Sequence, residues 1–299
     1  MFPKVLVTGA SGFTGQAMLH FLEDEGAEIF AASRSVPNIG VHVPIDVSTS
    51  DHEMLRVVSD IRPDYLFHLA GVSSGEPADI YRVNVGYAAS LLQALTRSGH
   101  PCVALLVGSA AEYGRVDTLP VSEDAPTQPY GHYGISKLAQ TQLGLAFDAA
   151  PLRVVVARTF NLVGPHMPKH LAIGAFVTQL QQLPRAPAQR VLEVGTLDVT
   201  RDYVHVRDAA RAYWALMRTP AAYGKIVNVC TGSGVSLRVI AETLCEIAGG
   251  RVELREDPRR IKPIDIPFHY GNNDLLAELT GIRLTLNLRS ALADAFNAS

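Results

Sequence analysis

Short, mostly apolar runs alternate with longer amphipathic runs through the first half of the chain. The short runs lack the alternation of a half-exposed sheet and are typical of parallel strands buried on both faces. They predict strands at 4–8, 28–32, 41–45, 65–70, 102–108 and 153–159. The longer runs predict helices at 15–25, 52–61, 80–98 and 133–147. This repetition predicts an α/β fold with a Rossmann-type, doubly wound parallel sheet.

The second half of the chain has a less regular pattern. It predicts strands at 191–195 and 225–230, helices at 206–217 and 236–248 with Ser236 as an N-cap, and a Pro- and Arg-rich surface loop at 181–191. Neither a repeat nor a low-complexity linker divides the sequence. We therefore expect a Rossmann domain at 1–160, to which segments of about 190–230 contribute. A smaller C-terminal α/β substrate-binding lobe, mainly 161–299, should pack over the carboxyl edge of the sheet.

Composition narrows the class of partner. The 299 residues carry a formal charge of −3, so nucleic acid and anionic membranes are poor partners. Three widely spaced cysteines form neither a disulfide framework nor a metal-binding pattern. The sequence contains no run of 18 apolar residues and no signal-peptide pattern. We expect a cytoplasmic protein without a metal site.

A glycine-rich turn follows the first predicted strand. Gly9, Gly12 and Gly15 stand directly between that strand and a helix. Gly9 suits the tight turn, Gly12 lets a pyrophosphate approach the backbone, and Gly15 lets the helix pack closely on the strand. The unpaired N–H groups of the helix N-terminus then face the phosphates. The turn predicts a dinucleotide-binding site.

The end of the second strand indicates which dinucleotide binds. An acidic residue there would bind the ribose hydroxyl of NAD, but this chain has Ser33 and Arg34. Arg34 suits a 2′-phosphate, so NADP(H) is the preferred cofactor and NAD(H) stays open. Asp46 is predicted to bind the adenine amino group. The remaining predicted cofactor contacts are Phe13, Val47, Leu69, Ala70 and Gly71.

A tyrosine and a lysine four residues apart lie in the predicted helix at 133–147. Tyr133 and Lys137 therefore share one helix face. Tyr130 cannot use the same geometry, because Gly134 stands four residues after it. Ser109 follows the fifth strand and belongs to the same sheet edge as the glycine turn. The three side chains predict a catalytic site beside the cofactor.

Eight segments taken together resemble the extended short-chain dehydrogenase/reductases that act on nucleotide sugars. In chain order they are TGASGFTG, PDYLFHLAG, NVGYAASLLQAL, GSAAEYG, YGISK, RTFNLVGP, TRDYVHVRDAA and NVCTG, so the resemblance spans nearly the whole chain. It implies that Tyr133 exchanges a proton with the sugar and that Ser109 hydrogen-bonds the reacting oxygen. It also implies that Lys137 binds the nicotinamide ribose and lowers the tyrosine pKa, ordinarily about 10. The cofactor would carry the hydride.

The same resemblance implies substrate contacts. Asn161 and Arg201 match positions that meet the diphosphate, although an ion pair of Arg201 with Asp202 or Asp208 is the structural alternative. Lys262 stands near the place where the family has a second arginine, with Arg259 and Arg260 close by, so the chain departs from the family pattern and the second phosphate contact stays unassigned. The other predicted substrate contacts are Ser73, Ala110 and Ala111.

The loop after Ser109 helps to choose the reaction. Dehydratases of this family carry a glutamate where this chain has Ala111, while Glu112 is displaced by one residue and points elsewhere in an extended segment. Epimerases with a bound NAD usually have an acidic residue in place of Arg34. The sequence therefore favours a reductase that uses NADPH.

Among such reductases the segments look most like those that act on GDP-4-keto-6-deoxy-D-mannose. The expected reaction is reduction at C4, to GDP-D-rhamnose or its C4 epimer. A C4 epimerase, a reductase of a dTDP- or UDP-sugar, and a non-catalytic NADP-binding regulator are the alternatives. Relatives dimerise through the helices that correspond to 80–98 and 133–147, which implies a homodimer unless those faces belong to the core.

Overall fold

The computed structural model describes residues 2–183, 190–249, 251–261 and 266–298. Its strands are β1 Lys4–Thr8, β2 Glu28–Ala32, β3 Val41–Val43, β4 Tyr65–His68, β5 Cys102–Ser109, β6 Leu152–Thr159, β7 Asn161–Val163, β8 Arg190–Val194, β9 Thr200–His205, β10 Ile226–Val229, β11 Gly234–Ser236, β12 Val252–Glu256 and β13 Phe268–His269. Its α-helices are α1 Phe13–Asp24, α2 Asp51–Ile61, α3 Pro77–Tyr81, α4 Tyr87–Ser98, α5 Gly131–Ala146, α6 Ala172–Gln182, α7 Val206–Met217, α8 Leu237–Ile247, α9 Asp274–Thr280 and α10 Leu288–Asn297.

The main sheet has seven parallel strands in the order β3-β2-β1-β4-β5-β6-β10. Val5, Leu6 and Val7 of β1 are completely buried, because helices cover both faces of the sheet. One apolar layer joins the sheet to α1 and α7, and the other joins it to α2 and α4. The strand order reverses at β1, and its carboxyl end is where such folds bind ligands. The predicted Rossmann-type fold is confirmed.

A smaller lobe covers the carboxyl edge of this sheet. In it, β7 and β13 pair parallel with β9, while β11 pairs antiparallel with it. A separate pair, β8 and β12, lies with α6, α8 and α10 around a third apolar core. Ser236 caps α8 as predicted, since its hydroxyl accepts from the Val239 amide at 3.2 Å. The chain returns to the main sheet through β10, whereas the domain boundary at 160 stays a prediction.

The predicted helix at 80–98 is wrong in one respect. Between α3 and α4 the structure has a π-helical turn at Arg82–Gly86. The turn carries Asn84, which is completely buried. Its amide donates to the Val72 carbonyl and to Ser136 Oγ, both at 2.9 Å, and its oxygen accepts from the Val72 N–H at 2.9 Å. These long-range bonds compensate for the irregular helix geometry, and the apolar periodicity could not reveal them.

Across the described ranges, no helix is both long and apolar enough to cross a membrane. The same residues contain no cluster of histidine, cysteine or carboxylate side chains that could hold a metal ion.

Candidate active site

The glycine turn after β1 has the geometry of a dinucleotide cradle. Gly9 has a φ of +67°, and a Cβ there would lie 2.7 Å from the Ala70 nitrogen. A Cβ on Gly15 would collide with the Gly9 carbonyl oxygen. Gly12 is the N-cap of α1 and brings no side chain between the first N–H groups and solvent. The turn therefore fits a pyrophosphate at the helix N-terminus.

A cavity lies beyond the glycine turn, where the adenosine end of a dinucleotide would bind. It has a volume of about 250 Å³ and is lined by Ser33, Arg34, Pro44, Ile45 and Asp46. The Arg34 side chain is exposed, whereas Ser33 is buried and donates to the Ser35 carbonyl at 2.5 Å. Hydrogen bonds from Ser48 are the main cause that lowers the pKa of Asp46, and the charge of Arg34 adds to it. Arg34 is thus an accessible cation at the rim of this cavity.

The other predicted cofactor residues fall into two groups. Leu69 and Ala70 follow β4, and their N–H groups donate to the Thr8 carbonyl at 3.3 Å and to Thr8 Oγ1 at 3.4 Å. This holds the segment, including the exposed Gly71, beside the glycine turn. Phe13 packs against the core of the small lobe, and Val47 packs against the sheet layer of α2 and α4.

Ser109, Tyr133 and Lys137 come together at the carboxyl edge of the sheet. Ser109 ends β5, and Tyr133 lies in the first turn of α5, close enough for a hydrogen-bond interaction with Ser109 to influence its pKa. Lys137 is buried one turn later, and its Nζ donates to Gln140 Oε1 at 2.6 Å. A Cβ on Gly71 would lie 4.0 Å from Lys137 Nζ. The lysine ammonium group therefore lies close to the predicted cofactor path at Gly71.

Burial is the largest cause acting on the pKa of Tyr133, and the lowering by Lys137 stays a prediction. Burial raises the pKa of Tyr133, the hydrogen bond with Ser109 opposes the rise, and the negative charge of Glu112 adds to it. Burial also lowers the pKa of Lys137 to about 8, against the opposing charge of Glu112. The cause is desolvation, which sequence spacing does not report. Burial therefore moves the pKa of Tyr133 in the direction opposite to the lowering that acid–base work at neutral pH favours.

A larger cavity of about 370 Å³ opens between the small lobe and the segment that leads into α5. Its lining includes Tyr130, His170, Phe176, Glu193, Arg201 and Arg260. Arg201 donates to the carbonyl oxygens of Thr200 at 2.9 Å and Pro267 at 3.4 Å. Burial lowers the pKa of Arg201. The cavity therefore presents a partly desolvated cation to an incoming ligand.

The alternative role of Arg201, an ion pair with Asp202 or Asp208, is wrong. Asp202 instead accepts from the Thr231 N–H at 2.8 Å, the Thr231 hydroxyl at 2.7 Å and the Gly232 N–H at 2.9 Å. Asp208 pairs with Arg211 at 3.3 Å. Within the described ranges, no carboxylate forms an ion pair with Arg201. Its charge is available for a ligand.

The remaining predicted substrate residues differ in exposure and in the element that carries them. Asn161 is exposed at the start of β7 and donates to the Asp202 carbonyl at 3.0 Å. Ala110 and Ala111 lie in a short 3-10 turn that follows Ser109 rather than in an extended segment. Ser73 is exposed on the loop before α3. Lys262 lies outside the described residues.

Sequence reasoning missed the residues beneath this site. Asn84 begins the family-like segment NVGYAASLLQAL. Only the folded structure shows that its buried side chain joins the loop after β4 to α5. Glu112 was considered as a catalytic base and set aside; it points away as expected, into the core. A polar residue inside an otherwise apolar run was the available signal for Asn84.

Comparison with known proteins places this site in a family. The sequence model described as "Epimerase: NAD dependent epimerase/dehydratase family" matches residues 5–230. GDP-6-deoxy-D-mannose reductase of Pseudomonas aeruginosa is 30% identical, over 98% of this chain and 97% of that protein. UDP-glucose 4-epimerase of Azospirillum brasilense is 34% identical, over 97% of this chain and 91% of that protein. RMD from Pseudomonas aeruginosa, solved in complex with NADPH, superposes with a TM-score of 0.86 at 28% identity, covering 99% of this chain and 98% of that chain.

Proposed function

The chain belongs to the NAD dependent epimerase/dehydratase family, and on that premise we propose that it uses NADPH to reduce a nucleotide-linked 4-keto-6-deoxyhexose at C4. The observation that carries the proposal is that Ser109, at the end of β5, and Tyr133 and Lys137, one turn apart on α5, lie on the sheet edge that also bears the glycine turn. Known relatives with similar sequences include both a GDP-6-deoxy-D-mannose reductase and a UDP-glucose 4-epimerase.

The residues of the chain divide the work of such a reduction. When bound at the glycine turn, NADPH supplies the hydride that the C4 carbon accepts. Tyr133 gives its proton to the carbonyl oxygen, since a phenol with an ordinary pKa of about 10 carries its proton at neutral pH. Ser109 holds that oxygen beside Tyr133. The Lys137 ammonium group then lies one turn from the phenolate that remains.

The preference for NADPH rests on Arg34. Its exposed guanidinium group stands at the rim of the adenosine cavity, where it suits a ribose 2′-phosphate. Similarity to a protein solved with NADPH supports the same cofactor. NAD(H) is the alternative.

A GDP-linked sugar is the proposed substrate. Arg201 offers an unneutralised charge to a diphosphate inside the larger cavity, and the exposed Asn161 lies on the neighbouring strand. Lys262, Arg259 and Arg260 are the candidates for a second cation. The GDP assignment draws on the similarity to GDP-6-deoxy-D-mannose reductase.

The test is a reaction with defined substrates. The purified protein is incubated with NADPH and GDP-4-keto-6-deoxymannose, and with the dTDP- and UDP-linked 4-keto sugars as comparisons. We expect loss of NADPH absorbance and formation of GDP-D-rhamnose or its C4 epimer with the GDP sugar. Turnover with only the dTDP- or UDP-linked sugar would overturn the GDP assignment. No turnover with any of the three sugars would overturn the reductase function.

A C4 epimerase is the second candidate, because a UDP-glucose 4-epimerase is 34% identical to this chain. Incubation with UDP-glucose and NAD separates the two, since an epimerase forms UDP-galactose without net cofactor consumption. Tyr133→Phe addresses the third reading, a non-catalytic regulator. A reductase loses turnover in that variant and keeps NADPH binding.

We further propose a cytoplasmic homodimer that pairs through α4 and α5. Ile135 supports this arrangement, because it is an apolar side chain left 41% exposed on α5. Much of the partner helix α4 is already packed in the core, so α4 offers only a modest surface to a second copy.

A further inference from the structure

The carboxylate of Glu112 is completely buried directly beneath Ser109. One of its oxygens, Oε1, accepts from the Ser109 N–H at 2.7 Å. The other, Oε2, accepts from Thr141 Oγ1 on α5 at 2.9 Å and from Arg158 Nε on β6 at 2.9 Å. One carboxylate therefore ties the end of β5 to both the helix that carries Tyr133 and the neighbouring strand.

The surrounding backbone is shaped to admit this carboxylate. A Cβ on Gly108 would lie only 2.6 Å from Glu112 Oε1. The same 3-10 turn also fits closely against α5, since a Cβ on Gly134 would lie 2.7 Å from the Ala111 carbonyl oxygen. Side chains at either glycine would separate the turn from the helix. The contact between Ser109 and α5 is therefore built into the local sequence.

The buried charge has a matched partner. Arg158 is 1% exposed, and its guanidinium carbon lies 4.4 Å from the centre of the Tyr113 ring. Tyr113 in turn donates to Asn228 Oδ1 on β10 at 2.7 Å. Burying an ion pair is costly unless its hydrogen bonds are complete, and removing one partner strands the other charge. Replacement of Glu112 by an apolar residue would therefore disturb more than one contact.

We propose that Glu112 is a positioning residue: its carboxylate fixes the Ser109 backbone against α5, so that the Ser109 hydroxyl meets Tyr133, and its charge lies beside the Tyr133–Lys137 pair. The effect on turnover rests on the proposed reductase function. The role differs from the acid–base role that a carboxylate has in a dehydratase, because Glu112 faces the core and not the cavity.

Several groups contribute to the electrostatic setting of Tyr133 and Lys137. They are Glu112 after β5, its partner Arg158 on β6, Tyr213 on α7 and His68 on β4. The charge of Glu112 raises the pKa of both Tyr133 and Lys137. Neutralising Glu112 should therefore shift the pH dependence of turnover to lower pH, whereas loss of a purely structural contact would lower activity at every pH alike.

The experiment compares Glu112→Gln with Glu123→Gln. Glu123 is a carboxylate in the same long segment before α5, but it bonds the Asn228 N–H at 2.8 Å and touches neither Ser109 nor α5. For Glu112→Gln we expect kcat to fall about 10-fold or more, with NADPH affinity within about 3-fold of wild type and a pH profile moved to lower pH. For Glu123→Gln we expect an unchanged pH profile. Identical behaviour of the two folded variants would overturn the proposal.

A second pair of variants covers the case in which Glu112→Gln does not fold. Thr141→Val keeps the ion pair and removes only the bond between Glu112 and α5, while Thr141→Ser restores the hydroxyl. We expect Thr141→Val to lower kcat several-fold without moving the pH profile, and Thr141→Ser to recover it. Equal kcat in wild type, Thr141→Val and Thr141→Ser would contradict the positioning role.

A spectroscopic readout keeps this proposal separate from the proposed function. NMR of protein with labelled tyrosine rings reports the Tyr133 resonance, which Tyr133→Phe identifies. We expect Glu112→Gln, but not Glu123→Gln, to displace that resonance, whether or not the protein reduces a sugar. An unmoved resonance in folded Glu112→Gln would exclude positioning, whereas a displaced resonance without turnover would count against the reductase alone.

Discussion

At the scale of single residues, the site depends on a buried lysine beside a half-buried tyrosine. Burial lowers the pKa of Lys137 from its ordinary 10.5 to about 8, so the folded protein holds this proton less tightly than the unfolded chain does. Between these two values the unfolded state binds more protons, and stability rises with pH through that window. Below about pH 8 the full cost of burying the cation remains. The residue is thus kept for chemistry rather than for stability.

We therefore expect Lys137→Met to stabilise the protein and inactivate it. Without cofactor at pH 7, urea unfolding should give a free energy about 1–3 kcal/mol above wild type, because no cation is then buried. The gain should shrink as pH rises towards 10.5, the ordinary pKa. Lys225→Met, at an exposed lysine, is the matched control and should change neither the free energy of unfolding nor the activity. A destabilised Lys137→Met would contradict this account of the lysine.

Arg34 is expected to decide the cofactor. Arg34→Glu removes the cation and adds a carboxylate that suits a ribose hydroxyl, so NADPH affinity should fall about 10- to 100-fold while NADH affinity holds or improves. Fluorescence titration with both cofactors measures this change. Arg56→Glu, at an exposed arginine on α2, is the control. Equal losses for the two cofactors would show that Arg34 does not contact the 2′-phosphate.

At the scale of secondary-structure elements, the π turn between α3 and α4 is the main irregularity beside the site. The Asn84 side chain on this turn hydrogen-bonds both the N–H and the carbonyl group of Val72, and it also bonds the Ser136 hydroxyl on α5. The turn therefore holds the loop after β4 and the catalytic helix in one arrangement. Irregular helix turns of this kind persist where tertiary bonds compensate for them.

We expect Asn84→Leu to destabilise the protein by about 2–4 kcal/mol, because the Val72 N–H and carbonyl lose their side-chain partner and the buried Ser136 hydroxyl keeps only its bond to the Tyr133 carbonyl. It should also weaken NADPH binding, since the loop after β4 lines the predicted cofactor path. Urea unfolding and fluorescence titration provide the two measurements. Gln93→Leu, on an exposed position of α4, is the control. A stable variant with normal NADPH affinity would remove this role from the π turn.

At the scale of the whole molecule, the active site lies where two lobes meet. Asp202 of β9 accepts hydrogen bonds from Thr231 and Gly232, which directly follow β10 of the main sheet. Neighbouring Arg201 faces the cavity of about 370 Å³. The small sheet is therefore anchored to the large one beside the predicted diphosphate position.

Pairing of two copies is the prediction that belongs to this scale. Ile135→Glu places a charge on the exposed face of α5, and we expect sedimentation to change from dimer to monomer because the interface would bury that charge. Val239→Glu, at a 44% exposed position on α8, is the control and should remain dimeric. A monomeric wild-type protein would contradict the dimer, as would an unchanged Ile135→Glu variant.

Local sequence already determined most of the sheet and the three catalytic candidates. Apolar runs marked β1 and β2 to the residue, and the four-residue spacing of Tyr133 and Lys137 put both on one helix face. The strands of the small lobe are harder to predict from the sequence, because β7, β11 and β13 are two or three residues long and carry too little periodicity to detect. Their existence depends on pairing with β9.

Tertiary structure alone decided what surrounds the catalytic residues. The ion pair of Glu112 with Arg158 joins residues 46 positions apart, and the bonds of Asn84 to Val72 and Ser136 also cross between elements. No local pattern encodes such contacts. The direction in which the pKa of Tyr133 moves likewise depends on desolvation by the folded chain. The sequence by itself thus determined which side chains could react, and packing decided their protonation and support.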